Sequence, residues 1–162
     1  MHAFTTFRSV IRPLSILAVC SLLSACQSEY PVLFNGFPGG IKANIIVQRH
    51  GPSQAGLSHD RLVYRTAYED LVDQGELVYA LGDDKLRGGI FRKRYTRAEA
   101  GLSQREFGNL RERLQERYGV PVVAQPTEAR WQRPDGTVAL QLASDSTGFR
   151  LALQMVCAEG VK

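Results

Sequence analysis

Apolar and polar positions alternate with period two in several stretches of this chain and with helical spacing in one, and the change of period marks out its elements. Leu62, Tyr64, Thr66 and Tyr68 are separated by charged or small residues, the pattern of a strand with one buried face, although residues 67–72 equally suit the start of a helix. Residues 76–81 and 90–95 flank Gly82-Asp83-Asp84, which predicts a hairpin, and Gly88-Gly89 in its second arm predicts a bulge or a close backbone approach. Residues 103–118 then carry Phe107, Leu110, Leu114 and Tyr118 on one helical face. Ser103 and Glu106 have the spacing of a capping box, Gly119 suits the left-handed position past the end, and Pro121 blocks continuation. Three strands are expected at 129–133, 137–143 and 149–156, turning at Pro134-Asp135-Gly136 and Ser146-Thr147-Gly148. The fold class implied is α+β: a hairpin, a helix and a three-stranded meander forming an antiparallel sheet, with the one main helix packed on it.

The N-terminus follows a different rule. Arg8 and Arg12 precede 13 residues without charge, from Pro13 to Ala25. At about 1.5 Å per residue such a run covers roughly 20 Å, short of the hydrocarbon thickness of a bilayer but right for the apolar centre of a secretory signal. It closes on Leu23-Ser24-Ala25-Cys26, which resembles the lipobox of bacterial lipoproteins. That resemblance covers the leader only. It implies cleavage before Cys26, diacylglyceryl transfer to the Cys26 sulfur, and a stable membrane anchor of two or more acyl chains. In that family an aspartate after the cysteine commonly signals inner-membrane retention; Gln27 stands here, so for a Gram-negative source the expected location is the outer membrane, facing the periplasm.

The expected division is thus a signal peptide over 1–25, a lipidated cysteine and tether over 26–40, and one domain over 41–162. Residues 27–40 are rich in Gly, Pro, Ser and Asn, as a tether requires, yet Tyr30, Val32, Leu33, Phe34 and Phe37 suit docking on the domain or dipping into the lipid interface. Losing Arg8 and Arg12 lowers the net charge from +4 to +2, which removes most of the electrostatic case for nucleic acid. Of the mature cysteines, Cys26 is taken up by lipid and Cys157 is left without a partner, ending an apolar alternation as a small buried or edge thiol.

Candidate chemistry is sparse. Residues 45–47 followed by Arg49-His50-Gly51 read as a strand ending in Arg-His-Gly, which resembles the start of the histidine phosphatase family; the resemblance implies His50 as nucleophile and Arg49 as phosphate ligand. That family completes its pocket with a second histidine late in the chain, whereas here the later one is His59, nine residues on. His50, His59 and Asp60 lack the spacing of a helical ligand pair or a zinc finger, so no metal is expected; no Gly-x-Ser-x-Gly, phosphate loop or dinucleotide fingerprint points to a cofactor.

Charge is segregated instead. Glu69, Asp70, Asp73, Glu76, Asp83 and Asp84 occur without a base, and Lys85, Arg87, Arg92, Lys93, Arg94 and Arg97 follow without an acid. In a hairpin, part of each block faces the other across the strands. Arg92 and Arg94, pointing one way, are the candidate patch for an anion, an anionic lipid or an acidic envelope protein. The function expected is a membrane-anchored, non-enzymatic envelope module; an Arg49/His50 phosphatase and an inhibitor or immunity-type protein are the alternatives.

Overall fold

A computed structural model describes residues 31–54 and 58–158. The leader, Cys26 and the first part of the expected tether lie outside the described residues. Two short strands, β1 (Leu33–Phe34) and β2 (Phe37–Pro38), form a hairpin and lead into helix α1 (Ala43–His50). Strands β3 (Arg61–Tyr68), β4 (Val72–Gly82) and β5 (Lys85–Thr96) make one meander. Helix α2 (Ala100–Tyr118) crosses to a second meander of β6 (Val123–Gln125), β7 (Glu128–Arg133), β8 (Gly136–Asp145) and β9 (Gly148–Cys157). The meanders join where β5 pairs with β9, giving a seven-stranded antiparallel sheet of order β3-β4-β5-β9-β8-β7-β6.

The expected α+β class, the hairpin, the long helix and the last three strands are all present. Asp83 and Asp84 both adopt positive φ at the β4–β5 turn, the geometry whose twist matches a two-residue hairpin, and Asp is among the few residues that tolerate it. Of the two forms of the Gly88-Gly89 expectation, the close approach holds at the glycines and the bulge falls one residue earlier, at Arg87. The register slips between Ala80 and Leu81 opposite Arg87, and a Cβ on Gly88 would sit 2.7 Å from the Met155 carbonyl oxygen.

Three expectations are corrected. Residues 43–50 are helix, not strand: Ala43 and Ile46 are buried and Val47 packs against the same core, a stripe at i, i+3, i+4 that overrides the β-branched run, and Gly51 closes the helix at φ 80°. The capping box is Thr96/Glu99 rather than Ser103/Glu106. The Glu99 carboxylate accepts from the Thr96 amide at 2.8 Å, and a 3₁₀ turn over Arg97–Glu99 starts the helical segment six residues earlier. The tether segment belongs, from Val32 onward, to the folded body: Val32, Phe34 and Phe37 are core residues. β6 was not expected at all.

Every described covering element sits on one face of the sheet. α2 packs on β5, β8 and β9 through Phe107, Leu110, Leu114 and Tyr118. The N-terminal hairpin and α1 cover β3, β4 and β5, tied down by amide-to-carbonyl bonds from Gly40 to Leu86, Leu86 to Ile41 and Ala43 to Asp84, each 2.8–2.9 Å. The two coverings meet where the Leu33 amide donates to the Tyr118 hydroxyl at 2.9 Å and where Arg117 of α2 forks onto Glu69 of the β3–β4 turn at 3.0 and 2.8 Å. No described helix is long and apolar enough to cross a membrane.

Candidate functional site

The other face of the sheet is open, and its strands alternate as the sequence pattern demands. Arg65 on β3, Glu76 on β4, Arg92 and Arg94 on β5, Arg150 and Ala152 on β9, and Gln141 and Ala143 on β8 occupy positions out of phase with the buried residues. They line a trough of about 900 Å³, together with Gln74 and Gly75. A second depression of about 370 Å³ shares Gln141 and Ala152 with it and extends toward Arg130 and Gln132 of β7. The floor is alanine, glycine and glutamine. The walls are four arginines and Lys93, with Glu76 among them.

Pairing across this face is incomplete. Glu76 and Arg92 are direct cross-strand neighbours at 3.7 Å, which bears out the expectation that acidic and basic blocks face one another in the hairpin. Arg130 pairs with Glu128 at 2.9 Å and Arg150 with Asp145 at 3.4 Å. Arg65 and Arg94 make no ion pair among the described residues. Arg94 is in register with Arg150 on the adjacent strand, so two guanidinium-bearing residues stand directly opposite at the centre of the sheet, an arrangement that costs stability.

The sequence singled out Arg92 and Arg94, and both line the trough. Arg65 and Arg150 were missed. Their signal was present in the phase of their strands: each is a charged residue on the face opposite the buried alternation, Leu62, Tyr64 and Tyr68 in one case and Leu151, Leu153 and Met155 in the other.

His50 and Arg49 are elsewhere, on the covered side at the end of α1. The His50 Nε2 lies 2.9 Å from the Tyr79 hydroxyl, which also accepts from the Asn35 side-chain amide at 3.2 Å. The ring packs 4.9 Å from that of Tyr64, and the Arg49 guanidinium sits 4.6 Å from the Phe37 ring centre. The strand on which the phosphatase resemblance rested is absent, and His50 is partly buried among aromatic rings. The chain matches no family model, and no curated protein or solved structure is significantly similar to it.

Burial, and then the Arg49 charge, lower the His50 pKa from its ordinary 6.5. The folded protein therefore binds a proton at His50 less readily than the unfolded chain does, and folding stability falls as pH drops below about 6.5 toward the depressed value. Urea midpoints measured between pH 7.5 and 5 are expected to show this loss in the wild type and a smaller one in His50→Gln; equal slopes would mean His50 contributes nothing.

Other groups fall outside the trough. Cys157 is half-buried, and burial followed by the nearby Asp135 charge pushes its thiol up, away from a reactive thiolate. Among the described residues no cluster of His, Cys, Asp and Glu has metal-binding geometry. A trio at the helix–sheet interface is structural in form: Lys93 donates to both Glu106 carboxylate oxygens at 3.0 and 3.1 Å, and the Tyr95 hydroxyl donates to the same carboxylate.

Proposed function

We propose that this chain is a lipid-anchored, non-enzymatic binding module of the cell envelope that takes an anionic partner on the open face of its sheet. The observation that carries the reading is the trough lined by Arg65, Arg92, Arg94 and Arg150 with one acid, Glu76, in register with Arg65; Arg65 and Arg94 make no ion pair among the described residues. Four arginines against one acid, set in a concavity with a floor of small and amide side chains, leave anion recognition to the side-chain forks and hydrogen bonding to the glutamines. The anchoring half of the reading rests on Leu23-Ser24-Ala25-Cys26 and places the module at the membrane, expected to be the outer one.

One experiment addresses both halves. Cells fed radiolabelled palmitate are expected to label the wild type and not Cys26→Ala. The same purified protein is expected to be retained on an immobilised sulfated polysaccharide and released by salt, with Arg65→Gln/Arg92→Gln/Arg94→Gln eluting at markedly lower ionic strength. A labelled Cys26→Ala chain sinks the anchor; an unchanged elution position sinks the trough.

A further inference from the structure

The facing pair Arg94 and Arg150 carries the identity of the ligand further, resting on the reading of the trough as an anion site. We infer that Arg94 and Arg150 form a clamp for a phosphoryl group of a soluble, phosphorylated chain, with Arg92 and Arg65 taking its neighbouring phosphates. The two residues pair directly between β5 and β9, and both side chains line the same trough. Residues opposite one another on antiparallel strands lie about 5 Å apart at Cα, so the two guanidinium groups reach a common point above the sheet.

The number of forks selects the anion. One guanidinium saturates a carboxylate, which has two oxygens and a single charge, through two parallel bonds. A phosphoryl group has three or more acceptor oxygens and up to two charges, so it accepts from both forks at once and neutralises the repulsion between them. Arg92 is two residues from Arg94 on β5, about 7 Å along the strand, and Arg65 lies two strands further across, with Glu76 in register between them and paired to Arg92, so that a phosphate at Arg92 displaces that carboxylate. Successive phosphates along a chain meet these in turn. The described residues of the open face include no aromatic side chain, since the rings of Tyr64, Tyr68, Tyr79, Phe91, Tyr95 and Trp131 are all buried on the other side. Recognition therefore rests on charge and hydrogen bonds, without the stacking that bases and sugar rings use.

The place where residues 32 and 33 are held favours a soluble ligand over the headgroups of the anchoring membrane. The Val32 amide donates to the Asp135 carboxylate at 2.6 Å and the Leu33 amide to Tyr118 of the covering helix, so the first described residues are held on the covered side. The trough opens on the opposite side. A body anchored through Val32 from that side would present the arginines away from its bilayer.

The full chain, purified in a non-ionic detergent, is titrated with inorganic tripolyphosphate, with citrate as a carboxylate of like charge, and with phosphatidylglycerol vesicles; binding and thermal midpoint are read together. Tripolyphosphate is expected to bind and raise the midpoint, with affinity falling about tenfold or more in Arg94→Gln and in Arg150→Gln. Without ligand, Arg94→Gln is expected to melt about 1–3 °C higher than wild type, because a like-charge pair has been removed. That opposite movement of stability and affinity separates a ligand clamp from a structural arginine. Citrate binding as tightly as tripolyphosphate overturns the phosphoryl assignment while leaving an anion-binding module intact. Vesicle binding without tripolyphosphate binding overturns the soluble source in the same way, and unchanged affinity in both variants overturns the clamp. If none of the three probes binds, the anion-site reading falls with it.

Discussion

Glu106→Ala is expected to destabilise the protein by about 3–5 kcal/mol, because it strips the counter-ion from a buried ammonium. The Lys93 side chain is 14% exposed and that of Glu106 7%, and the carboxylate receives three hydrogen bonds, two from Lys93 and one from Tyr95. Burial, with the bond to Glu106 and its charge adding to it, raises the Tyr95 pKa, so the hydroxyl stays a donor. Once Glu106 is truncated, the charge on Lys93 keeps the face of the Tyr95 ring, 4.9 Å away, and the weaker attraction of Glu99, and must shed its proton or draw in water. For a domain whose whole stability is about 5–15 kcal/mol, that is a large fraction. Replacing all three together, Lys93→Met/Tyr95→Phe/Glu106→Leu, is expected to come close to wild type or exceed it, since no charge is left stranded. Urea midpoints decide: a loss below about 1 kcal/mol in Glu106→Ala would show that the trio is solvated in solution.

Phe34→Ala is expected to cost about as much, roughly 3–5 kcal/mol, although it changes a residue that the sequence assigns to a tether. The ring is fully buried, 5.7 Å from that of Tyr68 and 5.5 Å from that of Tyr79. It rests on Gly89: a Cβ built there would lie 2.2 Å from the Phe34 ring, so glycine is what admits it. Gly89→Ala alone is therefore expected to cost about 1–3 kcal/mol by overpacking, and the double variant less than the sum of the two, since the new methyl occupies the space the ring vacates. Strict additivity in this cycle would place the ring elsewhere.

These residues show why some of the molecule was legible in its sequence and some was not. β3, the β4–β5 hairpin and β7 to β9 each have one wet and one dry face, so their periodicity survives without knowledge of their neighbours. α1 is short, and its Ile45-Ile46-Val47 run has the composition of a strand; only the core beneath Ala43 and Ile46 decides for helix. The first hairpin turns at Asn35-Gly36, both at positive φ, a strong local signal masked by the Gly/Pro-rich composition around it. Two Ser/Thr-x-x-Glu boxes occur in tandem, at Thr96/Glu99 and Ser103/Glu106; Glu106 serves the sheet instead of the helix end because Lys93 and Tyr95 wait beneath it. At the trough, Arg92 and Arg94 were readable as neighbours on one strand. Arg150 was not, because its place opposite Arg94 depends on β9 inserting beside β5, a pairing between strands separated by a helix and three other strands.

The docking of residues 32–38 also fixes the mechanical reach of the protein. A flexible segment running from Cys26 to residue 41 would let the domain roam about 50 Å from its acyl chains, whereas from Cys26 to Val32 the extended chain spans only about 20 Å, whatever path residues 27–30 take. With lipid on Cys26, the folded body moves as a raft-borne particle confined to a thin layer, searching by lateral diffusion in two dimensions. Its partner must come to that layer, and any complex it forms is built at the bilayer surface rather than across the space beyond it.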